Sequence, residues 1–176
     1  MISTQIVRLA FGITAAVGIL LTITPNSAFA ESAEFTPDLT NTLVAPYLAI
    51  HKGLAADQLD AAKQGAEEFF KATESAPQHG DAKKATEALA VHARAISEAT
   101  DIAAARKAFR PLTREFVTLL KKTGTTDNTP LYLVHCPMAF GNSGADWVQA
   151  DKTVANPYFG ASMLRCGGVK ADIKPE

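Results

Sequence analysis

From position 39 onward, apolar residues return every three or four places. Leu39, Leu43, Tyr47, Ile50 and Leu54 form one stripe, and Asp38 stands where it can cap the segment. Such spacing draws one face of a helix. Pro46 lies inside the stripe and predicts a kink or a frayed first turn. Asp57 can cap a second helix with Leu59, Ala62, Ala66, Phe69 and Phe70 on its inner face. Residues 75–81, Ser-Ala-Pro-Gln-His-Gly-Asp, read as a turn. A third helix carries Ala85, Leu89, His92 and Ile96 on one side, and Asp101 opens a fourth with Ile102, Phe109, Leu112, Phe116 and Leu119. Pro111 falls within that last pattern and predicts another kink. Four amphipathic segments with short joints predict an all-α fold, a four-helix up-down-up-down bundle over residues 31–123.

The pattern changes after Lys122. Thr-Gly-Thr-Thr-Asp-Asn-Thr-Pro is a polar linker, and Leu131–Cys136 has the composition of a strand. Beyond it, Pro137, Gly141, Gly144, Pro157, Gly160, Gly167 and Gly168 break any long helix. Trp147, Tyr158 and Phe159 argue that this stretch packs inward. Residues 124–176 are therefore expected as an irregular, ordered excursion lying on the bundle, with 31–176 as one domain.

The first thirty residues carry a different signal. Met1–Arg8 holds one positive charge, residues 9–23 are an apolar run, and Ala28-Phe29-Ala30 is a small-x-small pattern. This reads as a secretory signal peptide, residues 1–30, cleaved before Glu31. The run is short for a membrane span and no second one follows, so no span is expected after cleavage. No cysteine follows the cleavage site to take a lipid. The chain has 17 Lys and Arg against 18 Asp and Glu, a net charge of −1, with no basic stripe, which argues against nucleic acid as a partner.

Export changes the meaning of the sulfur. Both cysteines, Cys136 and Cys166, and both methionines beyond the initiator, Met138 and Met163, fall in one late window. In an oxidising compartment a pair of cysteines first suggests a disulfide. A second possibility is a soft-metal site. Pro137 favours an extended Cys136, which puts Cys136 and Met138 on one side and turns His135 away. A helical turn over Ser162–Arg165 would set Met163 and Cys166 on one face. Two thiolates and two thioethers favour Cu(I) or ions like it. Structural zinc, iron–sulfur clusters, haem attachment and a blue-copper site fit these residues less well. His51 and His92 fall on apolar helix faces, where a histidine is usually a core residue with one hydrogen bond; His79 falls in a loop. No nucleophile elbow, paired catalytic carboxylates or phosphate-binding glycine loop is present, so no enzyme is expected.

Tyr-Leu-Ala-Ile-His-Lys-Gly-Leu (47–54), Ala-Arg-Lys-Ala-Phe-Arg-Pro-Leu (105–112), His-Cys-Pro-Met-Ala-Phe (135–140), Gly-Ala-Asp-Trp-Val-Gln (144–149) and Asn-Pro-Tyr-Phe-Gly-Ala-Ser-Met-Leu-Arg-Cys-Gly-Gly (156–168) together resemble a family of exported bacterial domains of unknown function. That family occurs alone and appended to periplasmic adaptor subunits of heavy-metal efflux pumps. The resemblance spans about residues 36–170, and the Cys-Pro-Met and Asn-Pro-Tyr-Phe-Gly…Met-x-x-Cys-Gly segments are its specific parts. It implies a small helical periplasmic domain that handles copper or a similar soft metal. The metal-linked residues it implies are Cys136, Met138, Met163 and Cys166, with His135 beside them. Cys-Pro-Met also resembles another small metal-binding module with His after the Met; Ala139 stands there instead. The resemblance favours a Cu(I) chaperone or buffer working with efflux components. The alternative is a disulfide-stapled helical module that docks on an efflux or envelope partner without metal.

Overall fold

The computed structural model describes residues 37–76, 80–126 and 128–173. The predicted signal peptide, His79 and part of the 75–81 turn lie outside the described residues. Four long helices occupy the periodic region: α1 (Pro37–Ala55), α2 (Leu59–Glu74), α3 (Gly80–Ser97) and α4 (Ile102–Thr123). Each packs on the next in sequence, and α4 also meets α1. The cross-helix contacts run antiparallel. Thr40 bonds Thr123, Tyr47 bonds Thr113, and Leu54 bonds Arg106.

Both internal prolines are tolerated, and α1 and α4 run through them. Asp101 caps α4 as its position predicts, accepting from the Ala104 N–H at 2.8 Å. Asp57 does not cap α2; Gln58 occupies that position, and Asp57 serves elsewhere. Helices α1 and α2 cross closely because glycines sit at the contact. A Cβ at Gly65 would lie 2.8 Å from the Ile50 backbone nitrogen.

The fold class is not all-α. After α4 the chain forms a three-stranded antiparallel sheet, β1 (Leu131–Cys136), β2 (Ala145–Gln149) and β3 (Gly168–Ile173), in the order β2-β1-β3. The excursion expected to be irregular is this sheet with its connections. Its glycines and prolines break helix because they build turns between strands of five and six residues. Val134 pairs with Trp147 on one side and Val169 on the other, with a bulge between Leu133 and Val134. The hairpin between β1 and β2 turns through the short helical segment α5 (Ala139–Asn142), where Phe140, Gly141 and Asn142 all have positive φ.

Helices and sheet share one hydrophobic core. The stripe residues Leu43, Phe69, Leu89, Phe109 and Phe116 are fully buried, as the periodicity predicts. Rings connect the two layers. Tyr47 stacks on Phe116 at 4.4 Å, Phe109 lies 5.9 Å from Tyr158, and Tyr158 meets Trp147 edge-on at 6.0 Å. The buried Tyr47 hydroxyl bonds Thr113 at 2.7 Å and accepts from the Val148 N–H at 3.2 Å, joining α1, α4 and β2. Burial pushes its pKa up, so it stays a neutral hydrogen-bonding group.

Candidate functional site

Strand geometry sets the first half of the site. Side chains alternate along β1, so His135 and Cys136 leave on opposite faces. Cys136 is fully buried, and its sulfur lies 2.7 Å from the sulfur of Cys166, thirty residues later. Both are free thiols in this structure. The Cys166 thiol is pushed above its ordinary pKa, first by its hydrogen bond to Cys136 and then by partial burial. The raised pKa favours the neutral form of the Cys166 thiol.

A buried asparagine holds the second half. Asn156 is fully buried, and its Nδ2 donates to the Cys166 carbonyl at 2.8 Å. Its own N–H donates to the Leu164 carbonyl at 2.8 Å. Its Oδ1 accepts from the N–H groups of Tyr158 and Phe159 at 2.8 and 3.2 Å. Gly167 then passes so close to β1 that a Cβ there would lie 2.9 Å from both the His135 carbonyl oxygen and the Trp147 ring. Its φ of 130° is also one that glycine adopts without strain.

The Asn-Pro-Tyr-Phe-Gly loop is docked as firmly. Arg106 donates from Nε to the Pro157 carbonyl at 2.8 Å and from Nη2 to the Leu54 carbonyl at 2.9 Å. The same guanidinium pairs with Asp57, whose other oxygen accepts from the Ala161 N–H at 2.8 Å. Tyr158 donates from its hydroxyl to the Asp146 carbonyl at 2.6 Å. This motif therefore positions Cys166 against the strand that carries Cys136.

The predicted site residues do not all arrive as expected. The two cysteines come together. The chain is not extended through Cys-Pro-Met: Met138 has φ −83° and ψ −14° and begins the turn out of β1, 48% exposed. No helical turn covers Ser162–Arg165 either. A 3-10 turn occupies Gly160–Ser162, and Met163 is non-helical at φ −147° and half-buried. Cys166 N–H still closes on the Met163 carbonyl at 3.0 Å. His135 does face away from Cys136; its Nδ1 meets the Asp146 carboxylate at 2.6 Å, and Lys170 approaches the same carboxylate at 3.4 Å. His51 is a core histidine bonded through Nε2 to the Ala155 carbonyl at 2.8 Å, with its pKa lowered to about 4 chiefly by burial. His92 is only half-buried on α3, off the fully buried positions.

Sequence reasoning missed three contributors. Asn156 enters the sequence reading only within the Asn-Pro-Tyr-Phe-Gly motif, and an asparagine before proline is an ordinary turn signal that does not announce a buried hydrogen-bonding hub. Asp146 had no visible partner until β2 paired with β1. The Asp57–Arg106 pair links segments too distant for a spacing rule. Among the described residues, no three or more His, Cys, Asp and Glu side chains gather to hold a metal ion. An ion at the cysteine pair would need sulfur from methionine to raise its donor count.

Residues 43–128 match the model of a family described as "Protein of unknown function (DUF3347)". The match runs from within α1 through α4 and ends before β1, so both cysteines lie beyond it. No curated protein and no solved structure matches the chain. Among the described residues, no helix is long and apolar enough to cross a membrane.

Proposed function

We propose that this chain is an exported binding module for a soft cation, with Cu(I) as the ion its sulfur set favours. The observation that carries the reading is the meeting of Cys136 and Cys166 at 2.7 Å, with Met138 two residues beyond one and Met163 three residues before the other. Thiolate and thioether together select Cu(I) over harder ions. The strand fixes Cys136, while Cys166 sits half-buried on a loop. Thiolate–metal bonds are about 2.3 Å long on the zinc scale, so two thiolates sharing an ion stand further apart than these sulfurs do. Binding therefore asks Cys166 to swing outward from a fixed partner. His135 contributes less, because it points to the other face of β1. In this reading the module is a chaperone or buffer in the periplasm, working with heavy-metal efflux components, and does no catalysis.

The same contact favours a second reading, a disulfide staple. The sulfurs are closer than unbonded thiols normally pack, and oxidation would lock the loop to the sheet. The two readings are alternative oxidation states of one pair, since a disulfide leaves no thiolate for a metal. An anaerobic titration of the reduced protein with Cu(I) against a competing chelator tests the first. One equivalent bound, lost on Cys136→Ser or Cys166→Ser and weakened by Met138→Leu with Met163→Leu, is the expected result. Leucine keeps the volume and removes the thioether. No uptake by the fully reduced protein leaves the staple alone.

A further inference from the structure

The other face of β1 looks onto a second feature, independent of the cysteines. Along α4, Arg110, Arg114, Thr118 and Lys121 fall on one helical face. The whole helix carries six basic residues and one acidic residue, in a chain whose net charge is −1, so the sequence expectation of no basic stripe fails on this face. Between this face and the end of the β1–β2 hairpin lies an open groove of about 650 Å³, lined by Arg110, Arg114, Val117, Lys121, His135 and Asp146 among others.

The charges in the groove are unequal. Asp146 is already engaged by His135 and by Lys170. Arg110 is held in place: its Nη2 donates to the Gly144 carbonyl at 3.0 Å and its guanidinium lies 4.7 Å above the Phe140 ring. A guanidinium has five N–H donors, so most of Arg110's remain for a ligand. The Arg114 side chain is 75% exposed and, among the described residues, pairs with Glu115 at 3.4 Å, a surface contact that holds it weakly. Lys121 is exposed at the far end.

We propose that this groove docks an acidic, extended peptide segment of a partner protein. Charge complementarity selects the sign. Length selects the peptide: Arg110 to Lys121 spans about 16 Å of helix at 1.5 Å per residue. That is about five residues of extended chain at 3.3 Å each. One phosphate cannot reach both ends, and a flat lipid surface does not enter a groove between a helix and a hairpin. Val117 and Pro111 give apolar contact between the cations.

The probe is a fluorescein-labelled peptide, Glu-Leu-Glu-Glu-Leu-Glu, followed by fluorescence anisotropy with the intact protein. Saturable binding at low salt is expected, weakening several-fold toward 0.5 M salt as exposed charges are screened. Arg114→Glu with Lys121→Glu should lower affinity at least tenfold. Lys71→Glu with Lys84→Glu makes the same charge change on α2 and α3 and should leave affinity within about twofold. If the first pair impairs folding by circular dichroism, Arg114→Gln with Lys121→Gln replaces it and should still weaken binding at least threefold. Equal losses from the α4 and control pairs overturn the proposal, as does an absence of saturation. Binding to phosphatidylglycerol vesicles without binding to the peptide overturns it as well.

Discussion

Arg106 and Asp57, 49 residues apart, meet at 2.5 Å and together clamp the Asn156–Gly160 loop to the helices. Arg106 takes the Pro157 carbonyl and Asp57 takes the Ala161 N–H. Gly160 fits because a Cβ there would run into both the Asp57 carboxylate and the Arg106 guanidinium. Arg106→Ala should cost about 2–3 kcal/mol, the range for charge-assisted hydrogen bonds whose partners stay behind. Chemical denaturation measures it; a loss under 0.5 kcal/mol would show the loop to be held by its aromatics alone.

The same pair gives an acid dependence. The Ala161 N–H, and then Arg106, hold the Asp57 carboxyl below the usual carboxylate range. A lowered folded pKa gives stability that is present above the ordinary carboxylate value and lost as pH falls through the folded one. Asp57→Asn should therefore be less stable than the parent at pH 6, with the gap closing below about pH 4. A gap that stays constant down to pH 2 would remove the carboxylate from the account.

The ring chain from α4 to the sheet predicts coupling between the layers. Phe109 touches Tyr47 at 5.2 Å and Tyr158 at 5.9 Å, and Tyr158 meets the fully buried Trp147. Phe109→Ala should cost about 3–5 kcal/mol, as deletions of buried aromatics do. It should also redden the emission of Trp147 through Tyr158, whose ring meets both. An unchanged Trp147 spectrum would mean that sheet and helices respond independently.

How much of this was legible beforehand follows from distance along the chain. The helices were visible because their signal is local: Leu89 and Ile96 repeat within two turns. The sheet was not, because a strand such as Gly168–Ile173 has no alternation of burial and is defined by pairing with residues more than thirty places away. Of the three strands, composition pointed to Leu131–Cys136 alone, because the strand-forming residues Trp147, Val148, Val169 and Ile173 sit among polar residues, glycine and alanine. The cysteine pair was legible from composition alone. The placement of Met138 was not, because Pro137 allowed an extended chain but the left-handed turn at Phe140–Asn142 required the chain to bend at once.

Cys136 and Cys166 supply a redox prediction that both functional readings share. Oxidation closes a loop of about 31 residues, which the chain-entropy account values at roughly 3.5–4 kcal/mol. The oxidised protein should be more stable than the reduced one by that order. The double Cys136→Ser, Cys166→Ser variant should match the reduced protein and ignore the oxidant. Thermal unfolding with and without reductant reads this directly. An identical midpoint in both conditions, with free thiols titrated in each, would show that the pair does not oxidise.

His51 gives the last prediction, at higher pH than Asp57. It lies on α1 with 4% of its surface exposed and donates from Nε2 to the Ala155 carbonyl. Burial holds its pKa near 4, against 6.5 for a free histidine; Lys52 also lowers it, while the Ala155 bond and Asp151 raise it. The folded state thus keeps His51 neutral, while the unfolded chain takes a proton near pH 6.5. Stability is complete above that value and falls as the pH drops toward 4, by about 3 kcal/mol across the interval. His51→Gln keeps a side-chain donor for Ala155 and cannot titrate there. The variant's stability should stay nearly flat from pH 7 to 4.5 while the parent's declines, so the two curves converge in acid. Parallel curves would mean that His51 takes up its proton at the same pH in the folded and the unfolded chain, so that burial does not hold it neutral.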